Sequence, residues 1–184
     1  KVMKQLFAGE LNTLVRQLLE LAEDDRHARD IPSKELRDAF VSVTSCLPVY
    51  RTYIRDENVS ETDRARICDA ITVAGSGPAF DFLRRVLLIE PPWYIRHRRQ
   101  DYLQFVMQWQ QFTGPVMAKG LEDTTLYVHN PLVSVNDVGG DCNGPEIYFG
   151  VEEVHSRNLD RRGHWPHTMN TTSTHGTKRS GDVG

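Results

Sequence analysis

The residues best suited to chemistry lie together in the stretch from Gly114 to Tyr127. Lys119 stands between two small residues, so little neighbouring bulk would prevent its ammonium group from projecting into a cavity. Glu122 and Asp123 follow closely, and carboxylates there can hold such a lysine or bind a polyhydroxylated ligand. An ion-paired helix start on the protein surface is the alternative interpretation of the same residues.

The histidines give only a weak signal for a metal site. His164 and His167 form an H-x-x-H pair, and His155 and His175 lie nearby in sequence. No neighbouring cysteine or pair of carboxylates completes a three-ligand zinc site. The sequence also contains no phosphate-binding glycine-rich loop, no serine nucleophile elbow and no dinucleotide fingerprint. We therefore predict neither a metal nor a cofactor.

Composition excludes several classes of partner. The 184 residues carry a formal net charge of −3 with a pI near 6.2, which gives no field to attract nucleic acid or an anionic membrane. The cluster from Arg96 to Arg99 is best interpreted as a solvated face, because an RNA-binding patch would need interleaved exposed aromatic residues. Cys46, Cys68 and Cys142 are odd in number and far apart, which favours reduced thiols. No apolar run predicts a membrane span or a signal peptide, so a cytoplasmic location is expected.

Apolar residues recur every three or four positions through the first 112 residues, which predicts amphipathic helices. The expected helices cover 1–29, 33–47, 61–74, 79–89 and 96–112, with Ser33 and Ser60 as N-caps and Gly114-Pro115 as the final break. The predicted core positions are Phe7, Leu11, Leu14, Leu18, Leu21, Leu36, Phe40, Val43, Leu47, Ile67, Ala70, Ile71, Ala74, Phe80, Leu83, Val86, Leu87, Tyr102, Phe105, Val106, Trp109 and Phe112. Between the second and third helices, Val49–Ile54 alternates in the manner of a short extended segment.

These patterns predict a mainly α fold, with a compact multi-helix domain over residues 1–113. Residues 114–184 are expected to form a loop-rich segment, with a short strand at Val133–Asn136. Beyond Tyr148 the segment has few large apolar residues. Such a segment either lies on another surface or is partly disordered.

Several stretches, in this order, resemble maltooligosyltrehalose synthases of the α-amylase superfamily. The matching stretches are Pro48–Tyr53, Thr113–Thr124, Asn136–Asp141, Trp165-Pro166 and Thr174–Ser180. The family is several times longer than this chain. The resemblance therefore implies a middle-to-late fragment, in which a helical insertion precedes a segment returning to an incomplete (β/α)8 barrel.

The resemblance implies an intramolecular transglucosylation, in which the reducing-end α-1,4 linkage of a malto-oligosaccharide becomes an α,α-1,1 linkage. Such chemistry uses the carboxylates of a retaining glycosidase. Lys119 and Lys178 match lysines of the sugar pocket, and His175 matches a histidine that hydrogen-bonds the transferred sugar. Glu122, Asp123 and Arg51 match the surrounding pocket and are expected to support it or to contact substrate.

One departure from the family pattern concerns catalysis. Gly176 occupies the position of the carboxylate that stabilises the transition state, and the resemblance places the nucleophile and the acid/base before Lys1. Loss of such an electrostatic partner costs about two or more orders of magnitude in rate. The isolated chain is therefore expected to be inactive, whether it is a truncated or degenerated copy, the result of a sequence error or a deliberately cut piece.

Two other interpretations come from the residues themselves. A non-catalytic helical module could bind oligosaccharide or a protein partner by stacking on Trp93, Trp109 and Trp165. A fragment with exposed apolar stripes could also associate with itself through the surface that would face the barrel.

Overall fold

The computed structural model describes residues 1–128 and 150–169. Within these residues the fold is mainly α and contains no strand, which confirms the predicted class for this part of the chain. The α-helices are α1 (Val2–Gln5), α2 (Ala8–Glu23), α3 (Ser33–Ser45), α4 (Glu61–Ala74), α5 (Pro78–Leu87), α6 (Arg99–Met117), α7 (Leu126–Val128) and α8 (Val151–His164). A 3-10 helix (Trp93–Arg98) precedes α6, and a π-helix (Ala118–Thr125) follows it. The chain divides into two compact units, Lys1–Lys119 and Gly120–Gly184.

The core of the first unit forms where α6 packs against α2 and α5, and where α3 packs against α2, α4 and α5. Nearly all of the predicted core positions are buried there, which confirms the helical periodicity as a guide to the core. Phe7, Ala74 and Phe80 are only partly buried. Phe82, which lies off the predicted stripe, is fully buried because α5 contacts helices on more than one side.

The prediction of one helix over residues 1–29 is wrong. The chain breaks between α1 and α2, and α2 ends at Glu23. Asp25 explains this end, because its carboxylate accepts a hydrogen bond from the His27 amide at 2.9 Å and so stabilises a turn.

The two predicted N-caps have different outcomes. The prediction is wrong for α3, where Pro32 takes the N-cap position and Ser33 is the first helical residue. No side-chain hydrogen bond caps this helix. At α4 the prediction is confirmed, since the Ser60 hydroxyl accepts a hydrogen bond from the Asp63 amide at 3.1 Å. The same hydroxyl donates to the Asp63 carboxylate at 3.1 Å.

Gly114-Pro115 does not end the fifth predicted helix, which is a second correction. α6 runs through Pro115 to Met117, and the π-helix continues from Ala118. Pro115 lies on the exposed side of α6, where water can take the place of the missing amide donor. Val116 is buried beside it and holds this last turn against the core.

In the second unit, α8 lies where the sequence predicted loops, so that prediction is wrong for residues 151–164. Acidic residues begin this helix and basic residues end it, which favours a helix through its dipole. Arg157 also donates to Glu153 at 2.7 Å, one helical turn earlier. The strand predicted at Val133–Asn136 lies outside the described residues.

Gly75 ends α4 in a conformation that suits glycine alone, with φ +151° and ψ −164°. A Cβ atom there would lie 2.6 Å from Cζ of Phe80. We therefore expect Gly75→Ala to lower the free energy of unfolding by about 2 kcal/mol, as measured by urea denaturation. Gly9→Ala is the matched control, because a Cβ on that glycine in the first turn of α2 meets nothing within 4 Å and should change the free energy of unfolding by less than about 0.5 kcal/mol. Equal effects of the two substitutions would contradict this account.

Candidate functional site

Residues 51–55 have no regular secondary structure, yet α6 fixes their backbone through one side chain. The buried Gln110 amide donates to the Ile54 carbonyl at 3.0 Å and accepts from the Ile54 amide at 2.7 Å. The same oxygen accepts from the Thr52 hydroxyl at 2.9 Å. Thr52 and Ile54 are thereby buried, whereas the intervening Tyr53 is exposed. This alternation is the one expected of an extended segment.

Arg51, one of the predicted substrate-binding residues, directly precedes Thr52, whose hydroxyl bonds to Gln110. Its guanidinium carbon lies 4.8 Å from the centroid of the Tyr53 ring, which is a cation–π contact. Within the described residues, Nε of Arg51 is buried and has no hydrogen-bond acceptor.

Lys119, Glu122 and Asp123 all lie on the π-helix. Lys119 is exposed and ends the first unit, whereas Glu122 and Asp123 are half-buried in the second unit. Within the second unit, the Thr125 hydroxyl donates to the Gly120 carbonyl at 2.9 Å and so stabilises the wide turn. Turns of this kind occur frequently at functional sites. The assignment of these side chains to a sugar pocket stays a prediction.

The remaining predicted site residues are His175, Lys178 and Gly176. All three lie outside the described residues. The structure therefore describes Arg51, on its irregular segment, and the three π-helical residues, but not the complete predicted set.

Sequence reasoning missed a buried polar cluster around Asp25, which has no exposed surface. Arg85 Nη2 donates to one carboxylate oxygen at 2.7 Å, and the Tyr94 hydroxyl donates to the other at 2.9 Å. The Arg26 guanidinium carbon lies 4.6 Å from the centroid of the Tyr94 ring. The cluster ties the turn after α2 to α5 and to the 3-10 helix.

Two opposing effects act on the pKa of Asp25. Burial alone would raise it, but hydrogen bonds from the His27 amide, Arg85 and Tyr94 outweigh burial and lower the pKa below its usual range. The pKa of the neighbouring Tyr102 is instead raised. Its hydroxyl is buried without a hydrogen-bond partner among the described residues, and burial is the larger cause of the higher pKa, with the negative charge of Asp25 as the smaller one.

The three tryptophans named as stacking candidates differ in exposure. Trp109 is completely buried and donates from Nε1 to the Thr44 hydroxyl at 3.1 Å, so the prediction that it stacks on a ligand is wrong. Trp93 and Trp165 are 77% and 72% exposed. The Trp93 ring meets the Tyr94 ring edge to face, with 5.6 Å between their centroids. Tyr94 is itself held by Asp25, so Trp93 rests on an ordered neighbour.

Two adjoining depressions lie between α2 and α6, and both are lined in part by Gln108. Their volumes are about 580 and 190 Å³. The larger one opens above Gly9, and the smaller one ends near Arg98. Neither includes Arg51 or the π-helical residues.

Metal ligands do not cluster in the described part of the chain: no three of its His, Cys, Asp or Glu side chains come together. His164 instead approaches Asp160, with 3.0 Å between Nδ1 and Oδ1. The described helices also include none with the length and apolar character that crossing a membrane requires.

Comparison with known proteins gives one partial relationship. Over 74 residues, or 40% of this chain, the sequence is 45% identical to candidate maltooligosyl trehalose synthases of two Mycobacterium tuberculosis strains, CDC 1551 / Oshkosh and ATCC 25618 / H37Rv. The matched stretch spans 9% of the length of each relative. No family model matches the chain, and no solved structure matches it significantly. A stretch of this chain is thus similar to a small part of proteins that carry this name.

Proposed function

We propose that this chain is a part of a maltooligosyltrehalose synthase-like protein, an intramolecular transglucosylase acting on malto-oligosaccharides. The observation that carries the proposal is the 45% identity over 74 residues to proteins of that name. In this proposal the chain contributes the helical insertion and part of the return to a (β/α)8 barrel.

The proposed chemistry converts the reducing-end α-1,4 linkage into an α,α-1,1 linkage, and the released glucose must be kept in place while it turns. Arg51 would contact substrate through its guanidinium group, and the hydrogen bonds of Gln110 to Thr52 and Ile54 hold the neighbouring backbone in place. Lys119 is exposed on a π-helix, where it can donate to sugar hydroxyls. Glu122 and Asp123 would support the same pocket, together with His175 and Lys178.

This chain by itself is proposed to lack catalytic activity, because Gly176 offers no carboxylate to stabilise an oxocarbenium-like transition state. The test is incubation of the purified chain with maltopentaose, followed by detection of non-reducing trehalosyl products. We expect none above the background of a heat-denatured sample. Clear turnover would contradict the proposal of inactivity.

Binding provides the positive test of the proposed pocket. We expect the affinity for maltoheptaose, measured by isothermal titration calorimetry, to fall about tenfold in Lys119→Ala, because a charge-assisted hydrogen bond contributes about 1.5–3 kcal/mol. Lys34→Ala is the matched control, since Lys34 is another exposed lysine and its ammonium group pairs with Asp38. An unchanged affinity in Lys119→Ala would count against the pocket.

The second candidate is a non-catalytic module that stacks sugar on exposed aromatic residues. The exposure of Trp93, and its support by Tyr94, favour this alternative. In the same titration, loss of affinity in Trp93→Ala but not in Lys119→Ala would select it.

A further inference from the structure

The two depressions between α2 and α6 form one groove along the surface of the first unit. Their lining residues recur at helical spacing on both helices, from Gly9 to Leu21 on α2 and from Asp101 to Phe112 on α6. This part of α2 extends roughly 18 Å at the rise of an α-helix. The larger depression, of about 580 Å³, has the size of a ligand pocket.

The α6 wall of this groove is unusual in carrying no charge beyond Asp101. Residues 102–118 contain no Asp, Glu, Lys, Arg or His, although α6 is solvent-exposed along one side. The exposed positions on that side are Gln104, Met107, Gln108, Gln111 and Pro115. The outward face of a soluble helix normally carries charged residues. A row of glutamines supplies hydrogen-bond donors and acceptors without charge.

A hydrogen bond between side chains joins the two walls of the groove. Gln17 on α2 donates from Nε2 to Oε1 of Gln108 at 2.8 Å across the groove. This bond fixes the side chain of Gln108, which lines both depressions.

The chemistry of the walls discriminates between classes of ligand. Arg98, the cation at one end, already binds Asp24 and Asp101, so the groove has no available positive charge for an anion. An amphipathic helix would need apolar anchors, yet Leu14 and Phe112 in the larger depression are only 4% and 6% exposed. The α2 wall also carries the carboxylates of Glu10 and Glu20, which disfavour an anion and can accept hydrogen bonds from hydroxyl groups. A neutral ligand with many hydroxyl groups fits these carboxylates and the glutamine amides.

We propose that the groove between α2 and α6 binds a neutral linear oligosaccharide, at a site separate from Arg51 and Lys119. The glutamine row would exchange hydrogen bonds with successive sugar hydroxyls. The identity of the sugar as an α-1,4 glucan rests on the proposed function, whereas the site itself does not.

The test follows the side-chain amide signals of the glutamines by NMR while maltoheptaose is added to the full chain. We expect the signals of Gln104, Gln108 and Gln111 to shift and saturate. Gly9→Phe places a ring in the open space above Gly9 and should raise the dissociation constant for these shifts at least tenfold. Gly9→Ala, which adds only a methyl group, should bind as the wild type does. Circular dichroism establishes that both variants are folded.

Cellohexaose, a β-linked glucose chain, separates failure of the groove from failure of the proposed function. Shifts with both sugars, abolished by Gly9→Phe, support the groove and count against the α-glucan identity. Lys119→Ala should leave these shifts unchanged, because Lys119 does not line the groove. The proposal is overturned if neither sugar shifts the glutamine signals, if Gly9→Phe has no effect, or if only an amphipathic helical peptide produces the shifts.

Discussion

Replacing Asp25 by alanine is expected to lower the free energy of unfolding by about 3 kcal/mol, which is the lower end of the cost of breaking a buried ion pair. Asp25 is fully buried and Arg85 retains some exposure, so water offsets part of the loss. The Tyr94 hydroxyl and the His27 amide lose their acceptor as well. Urea denaturation followed by circular dichroism measures the change. Asp38→Ala is the control, because its pair with Lys34 lies on the surface and should contribute within about 0.5 kcal/mol.

The same substitution should have a characteristic pH dependence. The folded-state pKa of Asp25 is lowered, so its ionised form stabilises the protein above the unfolded pKa of about 3.9. That contribution is lost as the pH falls through the folded pKa. The difference in stability between wild type and Asp25→Ala should therefore be constant from about pH 7 to pH 5 and shrink below about pH 4. A difference that grows on acidification would contradict the role assigned to the carboxylate.

Replacing Gln110 by methionine is expected to cost about 3 kcal/mol of stability, although the two side chains have similar size. The variant leaves the Ile54 amide, the Ile54 carbonyl and the Thr52 hydroxyl without their partner, and each buried orphan costs about 1–3 kcal/mol. Gln104→Met, on the exposed side of the same helix, should change stability by less than about 0.5 kcal/mol.

Hydrogen exchange gives the Gln110 prediction a local readout. The Ile54 amide is protected by Gln110 in the wild type and should exchange much faster in Gln110→Met. Slow exchange in the variant would mean that another group satisfies this amide.

The core of the first unit was predictable because it depends on local periodicity. The residues Leu11, Leu14, Leu18 and Leu21 share one face of any helix that contains them, and this face is buried. The cap at Ser60 was predictable for the same reason, since its partner Asp63 is three residues away. Such signals need no knowledge of tertiary structure.

The Asp25 cluster was not predictable, because its partners lie 60 and 69 residues further along the chain. In sequence, Asp25 lies in an acidic run with Glu23 and Asp24 that has the composition of a solvated helix end. Only the packing of α5 and the 3-10 helix distinguishes the buried acid from its exposed neighbours.

The candidate site depended on a different source of information. Residue types and spacing singled out Lys119, Glu122 and Asp123, and resemblance to a family added Arg51. The periodicity of the sequence selected none of them. The groove between α2 and α6 shows the opposite case. Its uncharged glutamine row is visible in the sequence, but only the packing of two helices gives it an opposing wall. Pro115 was misjudged because its effect depends on which side of the helix meets water.

The Gln110 amide has a consequence for association between chains. An irregular or extended segment normally offers unpaired backbone groups, on which a strand of another molecule can add. At Ile54 both the donor and the acceptor are already taken by a side chain of the same unit. The protein thereby keeps an outward-facing Tyr53 on its surface, while the backbone groups of Ile54 cannot serve as a template for intermolecular β-pairing.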